Sequence, residues 1–172
     1  MKLRLSGYFD NNFGDDYMMK IIVHSLPDID FVVSKNENVS NLVLCEDNVS
    51  VSEDFEGCPI LSVIGSGFMV NGFNALKYEL KLFLKGEKTA DFCLGCNMEP
   101  IKSALGRFLI KQKIRKHKLV VCRDKKSFEW LKKNNRKSHI YYLPDILFGM
   151  PQEWLPEAGK GSKLGIAMMH RD

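Results

Sequence analysis

The sequence predicts an α/β fold with a doubly wound, mainly parallel sheet. Short apolar runs alternate with longer amphipathic segments along most of the chain. Most of the short runs are apolar throughout, which is typical of parallel strands that are covered on both faces. Because a helix-length segment separates most of these runs, we expect right-handed crossovers that pack helices against the sheet.

The individual elements follow from the same pattern. Strands are predicted over residues 2–6, 30–34, 41–45, 60–64, 91–94, 119–122 and 139–143, and helices over residues 15–25, 73–85, 101–117 and 125–134. In the second helix, the apolar residues Leu76, Leu80, Phe83 and Leu84 share one face, as the buried stripe of an amphipathic helix does. Together the elements predict a Rossmann-like unit.

The last part of the chain differs in composition from the rest. Residues 151–162 begin with proline and have glycines near their end, which predicts a linker. Since linkers at compositional breaks divide domains, we expect residues 1–150 to form an N-terminal Rossmann-like lobe. Residues 163–172 are then the first strand of a truncated C-terminal lobe. The alternative is that this last strand adds to the edge of the first sheet.

The composition is that of a globular cytoplasmic protein. Hydrophobic residues make up 45% and charged residues 27% of the chain, which excludes a disordered protein. The net charge of +4 comes without a zinc-finger spacing or an RNA-binding signature, so nucleic acid is not an expected partner. No apolar run reaches the roughly 18 residues of a membrane span. The five scattered cysteines are typical of reduced thiols.

Polar and glycine-rich stretches follow most of the predicted strands. Ligands of open parallel sheets bind beyond the carboxyl ends of the strands, so we expect these stretches to line a site. Their candidate residues are Asn11, Asn12, Gly14, Asp15, Asp16, Gly65, Ser66, Gly67, Asn97, Arg123 and Asp145. Asp15 and Asp16 at the start of the first helix would repel a phosphate, so a ligand rich in hydroxyls suits this loop better. The alternative for Asp15 is a helix N-cap.

Arg123 directly follows an apolar strand. An unpaired guanidinium is costly to bury, so Arg123 must either pair with a carboxylate or face an anion at the rim. Asp124 and Asp145 are the candidate partners for an ion pair. Asp124 and Ser127 are themselves typical caps of the helix that follows.

Two short motifs, a G-x-G and a C-x-x-C, do not predict a cofactor or metal site. Residues 65–67 begin a G-x-G fingerprint, but Val70 stands where the third glycine would be, so no nicotinamide or other cofactor is expected. Cys93 and Cys96 form a C-x-x-C without a second pair, so no metal site is expected and a structural role is favoured.

The third predicted helix, over residues 101–117, is strongly basic together with the residue that follows it. Its cations are Lys102, Arg107, Lys111, Lys113, Arg115, Lys116 and Lys118. Such a helix usually presents a solvated face, and it could also attract an anionic membrane surface.

Taken in order, the loop motifs resemble those of the polysaccharide pyruvyl transferase family. The matching stretches are residues 7–9 with 11–15, 63–68, 95–100, 123–127 and 144–145, which together span nearly all of residues 3–148. The sequence departs from the family at Ser66 and Phe68, where more glycine is usual, and at residues 97–99, where the turn usually carries glycine. These departures concern the substrate geometry and leave the fold expectation unchanged.

The resemblance implies transfer of a pyruvyl group from phosphoenolpyruvate to hydroxyls of a cell-surface polysaccharide or its precursor, which forms a ketal. It implies two Rossmann-like lobes, similar to glycosyltransferases of the GT-B type, with this chain as the acceptor-side half. It also implies roles for residues: Asn11, Asn12 and Asp16 for the sugar, and Arg123, with His170 and Arg171, for the donor anion. Arg123 and Asp16 are the candidates for the chemistry. The acceptor can be lipid-linked, which would place the protein at the inner face of the plasma membrane.

Two other functions fit the same architecture. One is a nucleotide-sugar glycosyltransferase of GT-B type, which would bind a uridine or guanosine diphosphate sugar. The other is a non-catalytic glycan-binding or scaffold module. Binding of phosphoenolpyruvate distinguishes the first expectation from both.

Overall fold

The computed structural model describes residues 1–9, 12–63, 68, 70–87, 89–135 and 138–155. These residues form seven strands, five helices and two short 3-10 helices. The strands are β1 (Lys2–Ser6), β2 (Asp30–Ser34), β3 (Val49–Ser52), β4 (Ile60–Val63), β5 (Phe92–Cys96), β6 (Leu119–Cys122) and β7 (His139–Tyr142). The helices are α1 (Phe13–Ser25), α2 (Asn41–Leu44), α3 (Phe73–Leu84), α4 (Ala104–Ile114) and α5 (Lys125–Asn134), and the 3-10 helices are Ile146–Gly149 and Gln152–Trp154.

The strands form one sheet in the order β3-β2-β1-β4-β5-β6-β7. Every neighbouring pair is parallel. The chain starts in the middle, moves outward to β3, and crosses back to β4 to build the other half. This arrangement confirms the predicted Rossmann-like, doubly wound sheet, and its topological switch point lies between β1 and β4.

Each face of the sheet carries its own core. On one face, Met18, Met19 and Val23 of α1 pack with Val43 of α2 against the strand residues Leu3, Leu5, Phe31, Val33, Leu61 and Val63. On the other face, Ile110 and Ile114 of α4 pack with Leu131 of α5 against Cys93, Cys96, Val120 and Cys122. Because both faces are covered, the central strands can be apolar along their whole length.

The strand predicted over residues 41–45 is wrong. This stretch is the one-turn helix α2, whose N-cap Ser40 accepts a hydrogen bond from the backbone N–H of Leu42 through its side chain at 3.3 Å. The missed strand is β3, which pairs with β2 at the edge of the sheet. Its serines alternate with valines because an edge strand need not be apolar on both faces, so it lacks the signal that identified the central strands.

A bulge in β5 explains how both cysteines of the C-x-x-C motif reach one core. Side chains of a regular strand alternate between faces, so positions 93 and 96 should point in opposite directions. The pairing of β5 with β6 shifts register between Cys93 and Cys96, and Gly95 within the shift has a φ of 70°. This left-handed conformation favours glycine and inserts one extra residue, which turns Cys96 to the side of Cys93.

The apolar face predicted for α3 is only partly buried: Leu76 and Leu80 are half-buried, and Phe83 and Leu84 are exposed. Within the described chain α3 packs mainly on α4, and its buried residue is Glu79. Phe73 and Leu84 are 80% and 74% exposed. The described residues therefore leave much of the apolar face of this helix exposed.

The segment after β7 returns to α1. The ring of Trp154 lies 4.8 Å from that of His24, centre to centre, and Lys20 Nζ lies 4.5 Å from the centre of the Trp154 ring. Trp154 belongs to the predicted linker, of which residues 151–155 are described. The predicted strand over 163–172 lies outside the described residues. None of the described helices is long and apolar enough to cross a bilayer.

Candidate functional site

The parallel sheet brings the loops that follow its strands to one edge. β1, β4, β5, β6 and β7 end side by side in that order, so the segments after them line one rim. Of the predicted site residues, Asn12, Gly14, Asp15, Asp16, Asn97, Arg123 and Asp145 are described on this rim. Asn11, Gly65, Ser66, Gly67, His170 and Arg171 lie outside the described residues.

The first turn of α1 is organised by Asn12. Asn12 is the N-cap, and its Oδ1 accepts a hydrogen bond from the backbone N–H of Gly14 at 3.1 Å. The cap interpretation of Asp15 is therefore wrong, because the helix begins two residues earlier than predicted. The backbone N–H of Gly14 therefore bonds to the cap of its own helix.

Asp15 and Asp16 are buried carboxyls, 9% and 6% exposed. Burial raises the pKa of Asp15 above its ordinary value; the nearby Arg123 guanidinium opposes this, and the charges of Asp16 and Asp145 add to it. Asp15 thus lies within electrostatic reach of the loops that follow β6 and β7. The carboxyl at the floor of this rim favours its protonated form more than an exposed aspartate does.

Asp16 faces a different neighbour. Burial raises its pKa, and a hydrogen bond with the side chain of Ser40, at the start of α2, works in the opposite direction. Its Oδ1 is buried without a hydrogen-bond partner among the described residues. Asp16 therefore joins α1 to the loop after β2, while Asp15 shares its surroundings with Arg123.

Arg123 is held in an ion pair. Its Nη1 donates to Asp145 Oδ2 at 2.9 Å, and the two side chains are 27% and 25% exposed. Asp145 is fixed in turn because its Oδ1 accepts from the backbone N–H of Leu147 at 3.1 Å, which caps the first 3-10 helix. The backbone N–H of Arg123 donates to Cys96 O at 2.9 Å. The ion-pair alternative with Asp145 is thus present, and it uses one of the five N–H donors of the guanidinium.

The loop after β5 is tied to the start of α5. Asn97 O accepts from the backbone N–H of Phe68 at 3.0 Å, and the backbone N–H of Met98 donates to Ser127 Oγ at 2.7 Å. Ser127 Oγ donates to Asp124 Oδ2, whose carboxylate also caps α5. The caps predicted for α5 are confirmed for Asp124, and the additional bond from Ser127 fixes the β5 loop beside Arg123.

An apolar groove of about 390 Å³ lies next to the ion pair. It runs between α1, the ends of β5 and β6, and the segment after β7, and Asp145 is the charged residue in its lining: the others are Ile21, Ile22, Leu94, Gly95, Val121, Leu143, Pro144, Ile146, Phe148 and Gly149. Such a lining does not suit an anion or a sugar hydroxyl. The polar rim is therefore the better place for either.

Two residues of this network were missed by the sequence reasoning. Ser40 was read as the residue before a strand, although a serine before an apolar run is also a typical N-cap signal. Ser127 was read as a cap, and its bond to Met98 depends on a sheet order that the sequence does not specify. Within the described residues, no group of three or more His, Cys, Asp or Glu is arranged to hold a metal ion.

Of three comparisons with known proteins, one found a match. Searches of curated proteins and of solved structures found no match. The family model described as polysaccharide pyruvyl transferase matches residues 12–172, from the N-cap of α1 through the loops that carry Asn97, Arg123 and Asp145. Since the match covers nearly the whole chain, this protein belongs to the polysaccharide pyruvyl transferase family.

Proposed function

We propose that the protein transfers a pyruvyl group from phosphoenolpyruvate to two hydroxyls of a polysaccharide or its precursor. In this reaction the methylene carbon of the donor takes up a proton, and a sugar oxygen attacks the neighbouring carbon. Phosphate leaves, and a second hydroxyl closes the ketal. The reaction needs a proton donor and cationic contacts for the carboxylate and the phosphate. The described chain would form the acceptor-side lobe of a two-lobed enzyme.

The observation that carries this proposal is the position of Asp15 beside the Arg123–Asp145 pair. Asp145 orients one edge of the guanidinium, which leaves further N–H donors of Arg123 for an anion of the donor. Asp15 is buried within reach of the same guanidinium, and its raised pKa favours the protonated form. A protonated Asp15 repels an anionic donor less and can supply a proton to it.

The acceptor roles rest on the start of α1. Asn12 uses its Oδ1 as the helix cap and is exposed, so its amide nitrogen is the group proposed for a sugar hydroxyl. We assign the proton-transfer role to Asp15 in preference to Asp16, because Asp16 shares a hydrogen bond with Ser40. Asp16 then acts as a positioning residue for the loop after β2. Asn97, Asp145, His170 and Arg171 stay in the proposal as substrate contacts.

Binding of phosphoenolpyruvate by the full-length protein tests the proposal. Arg123→Ala should weaken binding, measured by titration calorimetry, at least about tenfold, because a charge-assisted contact is lost. Arg4→Ala is the matched control. Arg4 Nη2 lies 3.6 Å from Glu37 Oε1, and this ion pair is about as exposed as the Arg123–Asp145 pair but lies elsewhere on the sheet. The proposal is wrong if the Arg123→Ala variant binds phosphoenolpyruvate as tightly as the parent protein does. It is also wrong if the protein binds a uridine diphosphate sugar in place of phosphoenolpyruvate.

A second variant addresses the proton donor. Asp15→Asn retains the shape of the side chain but cannot exchange a proton, so kcat should fall at least about a hundredfold while KM for phosphoenolpyruvate changes little. Phosphate release is the readout. A variant with unchanged kcat would remove Asp15 from the chemistry and leave the donor contact of Arg123 to be judged by the binding experiment.

A further inference from the structure

Helices α3 and α4 present an apolar surface that the described fold does not bury. We call this surface the α3–α4 face and define it by Phe73, Phe83 and Leu84 on α3 with Leu105 and Phe108 on α4. All five side chains are exposed, and the rings of Phe83 and Phe108 join the two helices at 5.6 Å between centres. Large apolar side chains exposed together on two packed helices are typical of an interaction surface.

The apolar residues of α3 are arranged by helical periodicity. At about 100° per residue, Phe73, Leu76, Leu80, Phe83 and Leu84 fall within an arc of about 100° on the helix. Leu76 and Leu80 are half-buried, and Phe73 and Leu84 are largely in solvent. The stripe therefore continues outward from the α3–α4 contact, as in helices that lie in a membrane interface.

The two helices also carry cations that form no ion pair with a carboxylate among the described residues. Lys77 and Lys81 on α3 and Arg107 on α4 are exposed, and Lys111 on α4 is half-exposed. Arg107 donates to the carbonyl oxygens of Ile101 and Lys102, so its charge meets no carboxylate in those contacts. Glu79, the acidic residue of the two helices, is buried and paired with Lys113. Beyond the end of α3, Glu87 pairs with Lys85 at 3.2 Å.

The geometry points to an anionic lipid surface as the occupant of the α3–α4 face. Phe73, Leu84 and Phe108 would enter the headgroup region, and the lysines would reach the lipid phosphates with their flexible side chains. A second copy of the chain fits less well, because a symmetric contact would bring the same cations together. Lysine is also depleted from protein–protein interfaces, whereas it is favoured beside anionic headgroups.

Vesicle binding by the full chain tests this inference. The protein should sediment with vesicles of phosphatidylcholine and phosphatidylglycerol and stay in solution with vesicles of phosphatidylcholine alone. Phe73→Ser with Leu84→Ser should weaken binding to the anionic vesicles about tenfold or more. Lys77→Gln with Lys81→Gln should weaken it about tenfold as well, and salt should weaken binding of the parent chain.

Matched controls come from other parts of the surface. Phe148→Ser removes a phenylalanine that is 85% exposed on the segment after β7, and Lys132→Gln with Lys133→Gln removes two exposed charges of α5. Neither should change binding. Circular dichroism checks that each variant is folded. We expect the variants to fold because the replaced side chains are highly exposed. The inference is wrong if the control variants lose as much binding to the anionic vesicles as the α3–α4 variants do, or if the chain binds only neutral vesicles. It is also wrong if the chain associates with itself and Phe73→Ser abolishes that association.

Discussion

Arg123 Nη1 and Asp145 Oδ2 lie 2.9 Å apart and join the segments that follow the neighbouring strands β6 and β7. The same aspartate caps a 3-10 helix with its other oxygen, and the segment beyond that helix packs on α1 through Trp154. The pair thus connects the rim loops to the helix that carries Asp15. Its two functions, charge pairing and capping, can be separated by substitution.

Asp145→Asn should cost little stability, because an amide still caps the 3-10 helix and an ion pair that solvent still reaches contributes only about 0–1 kcal/mol. Asp145→Ala should cost about 1 kcal/mol more, since the backbone N–H of Leu147 then loses its acceptor. Urea unfolding of the two variants measures the difference. Equal losses would mean that the cap contributes nothing.

Ser127→Ala should lower the free energy of unfolding by about 1–3 kcal/mol, because the buried hydroxyl serves both Met98 N and Asp124. The matched control is Ser103→Ala. Ser103 caps α4 by accepting from Gly106 N at 2.9 Å and is only half-buried, so its loss should cost about 1 kcal/mol. If the control proved the more costly of the two, the link between the β5 loop and α5 would have no energetic weight.

The fold was predictable where each strand is covered on both faces. The runs at β1, β2, β4 and β6 are apolar enough to identify them, and helix-length spacing predicted that they run parallel. The edge strand β7 is mostly exposed and was identified from its β-branched and aromatic residues. Prediction failed at α2 and β3 because an apolar run capped by Ser40 reads as a strand, and an alternating edge strand reads as a loop. Burial in the final fold, which the local pattern does not contain, decides such cases.

The site was predictable as a rim and not as a set of contacts. Asp15, Arg123 and Asp145 were identified because they follow strands, and the sheet brings them together as expected. The different surroundings of Asp15 and Asp16 could not be predicted, because they depend on which carboxyl lies next to Ser40 in the fold. The exposed stripe of α3 likewise has the same sequence pattern as a buried one.

The cysteines should differ sharply in reactivity. Cys45 is exposed, whereas Cys93, Cys96 and Cys122 are fully buried. The hydrogen bond with Cys96, together with burial, raises the pKa of Cys122 and so lowers its thiolate fraction. Iodoacetamide should modify Cys45 in the native protein and the three core cysteines only after unfolding in urea, as read by peptide mass spectrometry. Native modification of Cys96 at the rate of Cys45 would contradict the bulged path of β5.

The buried carboxyl of Asp16 should make stability depend on pH. Its pKa is raised in the folded protein, chiefly by burial, so the folded state holds this proton more tightly than the unfolded state does. The resulting stabilisation is complete below the ordinary value of 3.8 and is lost as the pH rises through the raised pKa.

Asp16→Asn removes this loss and leaves an amide that can still bond to Ser40. The stability of the variant relative to the parent should therefore rise as the pH increases from below 3.8 through the raised pKa and then level off. Urea unfolding at a series of pH values measures the difference, with Asp28→Asn at an exposed turn as the control for removal of a carboxylate. A difference that falls with increasing pH, or one matched by the control, would show that burial of Asp16 does not set the balance.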